Sequence, residues 1–329
     1  MLDGQRIIGR VTIDLPAGMP ATFHLAGQNY TERSAVCFVV KDAGDDPDVT
    51  NGAELHAEVT RIAGNVLEIA GGTGIGRVTK PGLAVPPGEW AINPVPRSMI
   101  TEAVRAVFPC GGFRVTISVP DGAARARKTL NERLGIIGGL SILGTTGIVR
   151  PVSAKAWTDT IDAALDVARA CGCPTVVLST GRTSEVAAQG QLRLPEEAFV
   201  MMGDHVSHAL RASYQRGYVQ PLIACQFAKL LKIACGHENT HAAQSQLDLS
   251  RLLEWTDERN LPSRIRQAVA AAHTAREAVI SCGYDRALLE VVAGKASAAA
   301  SLHTAQTRPR FLICGYDGHI YGALPEFQD

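Results

Sequence analysis

The feature that most constrains the fold is a rhythm of short apolar runs and helical patterns that starts near residue 151. Four runs are typical of buried strands: TVVLS (175–179), AFVMM (198–202), PLIAC (221–225) and RFLIC (310–314). Helical patterns follow the second and third runs, in HVSHALRASYQR and QFAKLLKIAC, and two longer ones span about 262–281 and 284–305. Strands that alternate with helices predict a doubly wound, mostly parallel α/β sheet.

A predicted helix leads into this sheet. Ser153 is a suitable N-cap residue, and Gly172 and Pro174 are suited to end the helix. Its apolar stripe has spacings of four, four and three residues and consists of Trp157, Ile161, Leu165 and Ala168. This spacing places the four side chains on one face of the helix.

The chain before this point is richer in strands. RIIGRVTIDL and ATFHLAG, with PAGMP between them, predict a hairpin, and FRVTISVP predicts a further strand. NPVPRSMITEAVRAVF has the spacing of a helix. We therefore predict two domains: a strand-rich α+β domain over residues 1–150 and an α/β domain over residues 151–329, whose strand ends bind a ligand.

Composition and charge argue against several kinds of partner. Lys and Arg together number 32, as do Asp and Glu, so the net charge of zero gives no reason to expect a nucleic acid or a membrane as partner. None of the eight cysteines forms a Cys-x-x-Cys pair, and the sequence has no run of 18 apolar residues and no signal-peptide pattern. We expect a cytoplasmic protein with reduced thiols, and the sequence leaves its oligomeric state open.

Polar residues directly follow the predicted strands of the second domain. These turns are TGRTSE (180–185), GDH (203–205), CQFAK (225–229) and GYDGH (315–319). Because ligands bind outside the carboxyl ends of strands in open α/β sheets, this edge is the best position for a pocket. The residues by themselves therefore predict an α/β ligand-binding enzyme.

Two short motifs resemble known ligand-binding motifs, one for dinucleotides and one for zinc. GGTGIG (71–76) has the wrong spacing for a dinucleotide fingerprint and no helical pattern after it, so we interpret it as a glycine-rich turn between strands. The alternative is that its bare N–H groups hold a substrate carboxylate.

HENTH (237–241) matches the zinc-protease pattern H-E-x-x-H, which needs both histidines on one helix. Gly236 directly precedes it and no motif marks a third ligand, so we expect no zinc there.

Three other segments have both a structural and a functional interpretation. KDAGDDPDVT (41–50) is typical of a solvated turn, but its carboxylates also suit a place near a cationic sulfonium or a departing proton. Lys229 and Lys232 form either a solvated helix face or a grip on substrate carboxylates. SILGTTGIVRPVS (141–153) is either a plain linker or, at a domain junction, part of a ligand site that includes Arg150.

Six segments together resemble the cobalt-precorrin-5B C(1)-methyltransferase family, CbiD. They are VKDAGDDPDVTNGAE, GGTGIGRVTKPGLAVPPGEWAINPVPRSMI, NERLGIIGGLSILGTTGIVRPVS, STGRTSE, GDHV and FAKLLKIACGHENTH, in unbroken order from about residue 40 to 245. Beyond residue 245 the resemblance is loose. The tail motif of the family is G-H-x-N-T-H, so Glu238 occupies its variable position, which weakens the zinc interpretation further.

The beginning of the chain departs from the family pattern. Members usually open with a segment similar to GYTTGTCA ahead of the first strands, whereas the printed sequence has Met1 close to RIIGRVTIDL. If that segment helps to form the site, we expect a protein that starts at Met1 to fold yet to be impaired in activity.

The resemblance implies transfer of a methyl group from S-adenosylmethionine to C1 of cobalt-precorrin-5B, giving cobalt-precorrin-6A. The electron-rich macrocycle attacks an activated methyl group, so the enzyme chiefly aligns the two and excludes water.

Candidates for a base that removes a ring proton are Asp204 and His205, followed by Asp45 and Asp46. Candidates for cofactor binding are Thr180, Gly181, Arg182 and Gly203. Candidates for substrate binding are Thr145, Thr146, Gly147, Arg150, Lys229, Lys232, His237, Thr240 and His241. No protein-bound metal is expected.

Corrin precursors carry many carboxylates, so their pocket should contain fixed cations. We expect four of them to face one shared cleft between the two domains: Arg150, Arg182, Lys229 and Lys232. Two alternatives stay open, a tetrapyrrole-binding protein without catalysis and an H-E-x-x-H zinc hydrolase. Binding of S-adenosylhomocysteine separates the first from the enzyme, and metal analysis separates the second.

Overall fold

The structure is a computed structural model that describes residues 9–16, 18–46, 48–144, 154–303 and 307–324. The chain divides into two compact units, unit 1 (residues 1–153) and unit 2 (residues 154–329). Ser153, the expected N-cap of the first helix of unit 2, lies outside the described residues. Among the residues that are described, no helix is both long enough and apolar enough to cross a membrane.

Unit 1 is strand-rich, as the sequence predicts. Its strands are β1 (Arg10–Asp14), β2 (Pro20–His24), β3 (Gly27–Tyr30), β4 (Ser34–Val40), β5 (Glu54–Ile62), β6 (Leu67–Gly71), β7 (Arg77–Val78), β8 (Gly112–Ser118) and β9 (Ile136–Ile137). Its helices are α1 (Pro94–Val107) and α2 (Gly122–Ala126). The main sheet has the order β3-β4-β5-β8-β6, in which β6 and β8 run parallel and the other neighbours antiparallel. β1 and β2 form the predicted hairpin.

The GGTGIG segment of unit 1 is the turn that the sequence predicts, and its glycines let three backbone segments pack closely. Gly74 has a φ of +75°, and a Cβ atom there would lie 1.9 Å from the carbonyl oxygen of Val119. A Cβ atom on Gly139 would lie 2.2 Å from the carbonyl oxygen of Gly74. Three N–H groups of the segment already donate to backbone carbonyls of unit 1, those of Gly72, Ile75 and Gly76. These three donors are therefore not available to a substrate carboxylate.

Unit 2 has the predicted α/β architecture. Its strands are β10 (Val177–Ser179), β11 (Phe199–Met201), β12 (Leu222–Gln226), β13 (Arg310–Cys314) and β14 (Ile320–Leu324). Its helices are α3 (Ala154–Ala170), α4 (Arg182–Gln191), α5 (Val206–Gln215), α6 (Phe227–Ala234), α7 (Leu249–Glu258), α8 (Ser263–Ala271), α9 (Ala275–Ser281) and α10 (Arg286–His303). The strand order is β11-β10-β12-β13-β14, and the first four strands are parallel. The strands are continuous apolar runs because both faces are covered: Leu178, Ile223 and Phe311 are fully buried.

The structure differs from the sequence prediction in three elements of unit 2. A fifth strand that was not predicted, β14, follows RFLIC and pairs antiparallel with it. TGRTSE is a turn only at its start, because α4 begins at Arg182. The helical stretch predicted over 262–281 is two helices, since Thr274 caps α9 by accepting a hydrogen bond from the Glu277 N–H (3.0 Å).

The connections of unit 2 change direction at the carboxyl ends of β10 and β12. From β10 the chain passes through α4 to β11 on one side, and from β11 through α5 to β12 on the other side of β10. Right-handed crossovers in opposite directions put α4 on one face of the sheet and α5 on the other. The two directions diverge between β10 and β12, which is where open α/β sheets bind their ligands.

Candidate active site

The carboxyl ends of β10, β11 and β12 are bonded to one another. The carbonyl of Ser179 accepts hydrogen bonds from the N–H groups of Met202 (2.9 Å) and Gly203 (3.2 Å). On the other side of β10, the N–H of Thr180 donates to the carbonyl of Ala224 (3.0 Å). The polar turns that follow these three strands therefore lie side by side at one edge of unit 2.

The three helices that begin at this edge have no side-chain cap. α4, α5 and α6 follow Gly181, His205 and Gln226, and none of these residues accepts a capping hydrogen bond on its side chain. By contrast, Asp248 caps α7 and Thr274 caps α9 through their side chains. At α5 the N–H of Ser207 already donates to the carbonyl of Glu238 (3.1 Å), and at α6 the N–H of Ala228 donates to the hydroxyl of Tyr316. Among the described residues, α4 is therefore the helix start that presents N–H donors and the positive end of its dipole. The edge is thus suited to a ligand with anionic or polar groups.

Asp204 lies at the centre of a polar network that joins the GDH turn to α6 and to the HENTH loop (residues 237–241). Its Oδ1 atom accepts hydrogen bonds from the hydroxyl of Thr240 (2.6 Å) and from the ammonium of Lys229. Its backbone carbonyl accepts the N–H of Thr240 (3.0 Å). Lys229 and Lys232 both donate to the carbonyl oxygen of Thr240, each at 3.0 Å. Every polar group of Thr240 is therefore bonded, and the HENTH loop is fixed on the GDH turn.

Two residues that the sequence assigned to substrate binding have another role here. Thr240 is 0% exposed and Lys232 is 7% exposed, and both are bonded within the network. Lysines on helices are usually solvated, which is why the spacing of Lys229 and Lys232 did not reveal that one of them points inward. Lys229 keeps a side-chain exposure of 29%, so a substrate carboxylate can still approach it.

Burial and hydrogen bonds shift three pKa values in this region. Burial by itself would raise the pKa of Asp204, but the hydrogen bonds from Lys229 and Thr240 outweigh it and lower that pKa below 3.8. Burial lowers the pKa of Lys232, and the nearby charge of Lys229 lowers it further. Burial also lowers the pKa of His205, against the opposing charge of Asp204. At neutral pH Asp204 is thus a fixed carboxylate and a weak base, whereas the neutral imidazole of His205 is able to accept a proton.

Arg182 begins α4 with a largely exposed side chain. Its Nη1 atom lies 2.7 Å from a carboxylate oxygen of Glu185, which is 0% exposed. The ion pair offsets part of the cost of burying the Glu185 carboxylate. A guanidinium has five N–H donors, so this pair leaves donors for a ligand carboxylate. Beside Arg182, an open groove of about 600 Å³ runs along α4 and past His319.

The HENTH loop is not helical. α6 ends at Ala234, and Gly236 takes a φ of +88°, which turns the chain away from the helix. The Nε2 atom of His237 lies 3.1 Å from the carbonyl oxygen of Gln246. The Nδ1 atom of His241 accepts a hydrogen bond from the backbone N–H of Ala243 (3.2 Å). The zinc-protease arrangement needs both histidines on one helix, so the zinc-hydrolase alternative loses its structural basis. In the part of the chain that is described, no group of three acidic, histidine or cysteine side chains is placed to hold a metal.

The acidic segment of unit 1 is organised by its own side chains. Asp48 accepts hydrogen bonds from Lys41 and from both the N–H and the hydroxyl of Thr50. Asp45 is exposed and Asp46 partly exposed, and neither carboxylate has a hydrogen-bond partner among the described residues. The turn interpretation therefore holds for Asp48, while Asp45 and Asp46 gain no support as bases.

Four of the substrate candidates, Thr145, Thr146, Gly147 and Arg150, lie outside the described residues. The shared cleft expected for Arg150 and the other cations therefore stays a prediction. Within unit 2, Arg182 follows β10 and Lys229 follows β12 at the same sheet edge, whereas Lys232 is buried.

Three side chains at this edge were not identified from the sequence. Trp157 is 44% exposed, although the other three members of its stripe are fully buried. The hydroxyls of Ser179 and Ser207 are buried and have no hydrogen-bond partner in the described part of the chain. A buried hydroxyl without a partner is rare and marks a place where a water molecule or a ligand group fits. No sequence signal distinguishes them, because serine is common at strand ends and helix starts.

Proteins of known family resemble the chain over nearly its whole length. The profile described as CbiD matches residues 1–151, and the profile described as CbiD, C-terminal domain, matches residues 239–324. A protein of Pelobacter propionicus named cobalt-precorrin-5B C(1)-methyltransferase is 59% identical, over 99% of this chain and 92% of that protein. The chain belongs to the CbiD family.

This membership confirms the resemblance seen in the sequence. A second CbiD relative, from Geobacter sulfurreducens and with the same name, is 56% identical over 97% of this chain and 92% of that protein. A crystal structure of the cobalamin biosynthesis protein CbiD of Archaeoglobus fulgidus is 27% identical over 78% of this chain and 77% of that one, with a TM-score of 0.36.

Proposed function

We propose that this CbiD protein methylates C1 of cobalt-precorrin-5B to give cobalt-precorrin-6A in the anaerobic type of cobalamin biosynthesis. The observation that carries the proposal is the 59% identity, over 99% of the chain, to a relative named for this reaction. The substrate is a tetrapyrrole, and the enzyme is a C-methyltransferase. Its task is to align a methyl donor and a ring carbon and to exclude water, which can contribute roughly 7–11 kcal/mol without any protein nucleophile.

The methyl donor in this proposal is S-adenosylmethionine, which supplies an activated methyl group on a sulfonium. The residues at the edge of unit 2 fit such a molecule. The uncapped N-terminus of α4 and the Ser179 hydroxyl, which has no partner among the described residues, offer hydrogen bonds to its polar groups. The exposed guanidinium of Arg182 suits its carboxylate. The proposed donor-binding residues are Thr180, Gly181, Arg182 and Gly203.

The residues around the GDH turn have different proposed roles: proton acceptance, positioning of loops and contact with substrate carboxylates. His205 is the proposed base, since its lowered pKa keeps the imidazole neutral at pH 7. Asp204 positions the turn and the HENTH loop rather than accepting a proton, because its lowered pKa makes it a weak base. Lys229, His237 and His241 are the proposed contacts to substrate carboxylates in unit 2.

The main alternative is a protein that binds the tetrapyrrole without methylating it. Such a carrier needs no donor pocket, so we expect binding of S-adenosylhomocysteine to separate the two. A ligand at one hundred times its Kd stabilises the folded state by about 2.7 kcal/mol, which a thermal melt detects. No shift at millimolar ligand in a folded sample would contradict the proposal. The direct test is incubation with the tetrapyrrole and isotopically labelled S-adenosylmethionine, followed by mass analysis of the product.

The role of His205 predicts a specific pH dependence. His205→Gln should lower kcat by roughly 10²–10⁴-fold and leave binding of S-adenosylhomocysteine unchanged. Because the pKa of His205 in the free protein lies below 6.5, kcat/KM of the wild type should be level near pH 7 and fall only as the pH drops below 6.5.

His208 offers the matched control for this experiment. It lies on α5 and pairs with Asp162 (3.1 Å), and its charge is one of those that lower the pKa of His205. His208→Asn should therefore keep most of the activity and move the acid limb to higher pH. An acid limb that persists unchanged in His205→Gln would assign the base elsewhere.

A further inference from the structure

Trp157 is held at the surface of unit 2 beside the GDH turn, although its spacing on α3 is that of a core residue. The next member of the stripe, Ile161, is 0% exposed, whereas Trp157 is 44% exposed. A single exposed apolar side chain is common on protein surfaces, so what distinguishes Trp157 is that it is fixed beside the candidate site instead of packing with the rest of its stripe. The position therefore calls for an explanation other than core packing.

Two contacts fix the indole in place. Its Nε1 atom donates a hydrogen bond to the carbonyl of Met202 (3.0 Å). Gly203 lies so close that a Cβ atom there would be 3.0 Å from the Cζ2 atom of the indole. Gly203 also has a φ of +59°, so glycine at this position permits both the turn and the approach of the ring. The side chain is thus oriented by the turn without being buried by it.

The exposed indole lies beside the residues that the proposed function assigns to the donor and to the base. Gly203 is one of the proposed donor-binding residues. The ring centroids of Trp157 and His205 are 6.4 Å apart, and the two planes differ by 31°. A flat group that stacks on the indole at the ordinary contact distance of about 3.5–4 Å would therefore lie next to the imidazole.

We propose that Trp157 is the stacking platform for the adenine ring of the methyl donor, an inference that rests on the proposed function. A purine matches an indole in size and flatness, and stacking of a base on an aromatic side chain is strong and needs no hydrogen-bond pattern. A corrin precursor is wider than an indole and puckered by its saturated carbons, so it fits one side chain less well. Because the indole is already oriented, binding costs little side-chain entropy.

The test measures binding of S-adenosylhomocysteine and of adenosine to the full chain by calorimetry. Trp157→Ala should weaken both ligands roughly 5- to 150-fold. Trp157→Phe keeps an aromatic face and should recover most of the affinity. The matched control is Trp90→Phe in unit 1, whose indole packs against the guanidinium of Arg77 (4.0 Å); it should leave both affinities unchanged.

Equal losses in the Phe and Ala variants would overturn the platform, because the hydrogen bond to Met202 would then account for the effect. Fluorescence gives a second measurement, since adenine stacked on an indole quenches its emission. Addition of S-adenosylhomocysteine should quench the wild type and Trp90→Phe but not Trp157→Phe.

The outcomes separate this inference from the function on which it rests. A folded wild type that does not bind S-adenosylhomocysteine contradicts the proposed methyl donor. A wild type that binds it, with Trp157→Ala binding equally well, overturns the platform alone. A lowered Tm of Trp157→Ala with unchanged affinity also overturns it and assigns a structural role. If Trp157→Ala lost affinity for a stable corrinoid but still bound nucleosides normally, the proposal would also be overturned, because the indole would then contact the tetrapyrrole.

Discussion

In the described part of each unit, one trio of Asp, Lys and Thr side chains is joined by hydrogen bonds. In both trios the carboxylate accepts hydrogen bonds from the lysine ammonium and from the threonine hydroxyl. The local trio of unit 1 consists of Lys41, Asp48 and Thr50, and the long-range trio of unit 2 consists of Asp204, Lys229 and Thr240. The lysine and aspartate side chains are 28% and 24% exposed in the local trio and 29% and 25% in the long-range trio. The chemistry and the exposure are therefore nearly the same.

The two trios differ in how much of the fold they join. The local trio lies within residues 41–50 and closes a single turn. The long-range trio joins the end of β11 to α6 and to the HENTH loop, and the buried ammonium of Lys232 donates to the same loop carbonyl. An interaction of one kind thus shapes a turn in unit 1 and holds a candidate site together in unit 2.

The largest effect expected from this difference is on stability. Asp204→Ala removes the negative charge that faces Lys232, so it should lower the free energy of unfolding of unit 2 by about 2–4 kcal/mol. Asp48→Ala should lower that of unit 1 by only about 1 kcal/mol, because Lys41 can turn to water. Denaturant titrations followed by tryptophan fluorescence measure both: Trp90 lies in unit 1, and Trp157 and Trp255 lie in unit 2.

Variants with single-unit reporters make this measurement specific. Trp90→Phe leaves emission from unit 2, and the double variant Trp157→Phe with Trp255→Phe leaves emission from unit 1. Equal losses for Asp204→Ala and Asp48→Ala would show that the length of chain between partners does not matter. In that case the long-range trio would be an ordinary surface ion pair.

A smaller effect is expected from the threonine hydroxyls. Thr240→Val leaves the Asp204 carboxylate without one donor and should cost unit 2 about 1–2 kcal/mol, whereas Thr240→Ser should restore most of it. Thr50→Val should cost unit 1 less, since its backbone N–H still donates to Asp48 (2.8 Å). The same fluorescence titrations apply. A Ser variant as unstable as the Val variant would mean that the methyl group of Thr240, rather than its hydroxyl, is what matters.

The local trio illustrates what the sequence allows one to predict. Asp, Gly and Pro within KDAGDDPDVT indicate a turn, and the two partners of the Asp48 carboxylate, Lys41 and Thr50, lie within it. The strands of unit 2 were equally accessible, because a strand buried on both faces is a continuous apolar run. α4 was missed because its sequence, RTSEVAAQGQ, is mostly polar, and β14 was missed because IYGAL is short and contains glycine.

The long-range trio shows where such prediction stops. Strand ends and family resemblance pointed to Asp204, Lys229 and Thr240 separately, but their pairing could not be predicted from the sequence. Thr240 was expected to bind substrate, yet all its polar groups are used inside the protein. Trp157 fits a core stripe in sequence, but the carbonyl of Met202 holds its indole at the surface. Contacts between distant segments are decided by the fold, and these contacts define the candidate site.

The smallest expected effect is the acid sensitivity of the two trios. In both, hydrogen bonds outweigh burial and lower the aspartate pKa below its ordinary value of 3.8. A carboxyl with a lower pKa in the folded state binds fewer protons than in the unfolded state, so it stabilises the protein above the unfolded pKa. That stabilisation is lost as the pH falls through the folded pKa, which places the window below about pH 4 to 5.

Asp204→Asn should flatten this loss of stability for unit 2 and leave that of unit 1 unchanged, and Asp48→Asn should do the reverse. The measurement is a denaturant titration of the single-unit reporter variants between pH 3 and 6. If Asp204→Asn flattened the decline of both units, their acid stability would be coupled, and the two trios would not be independent.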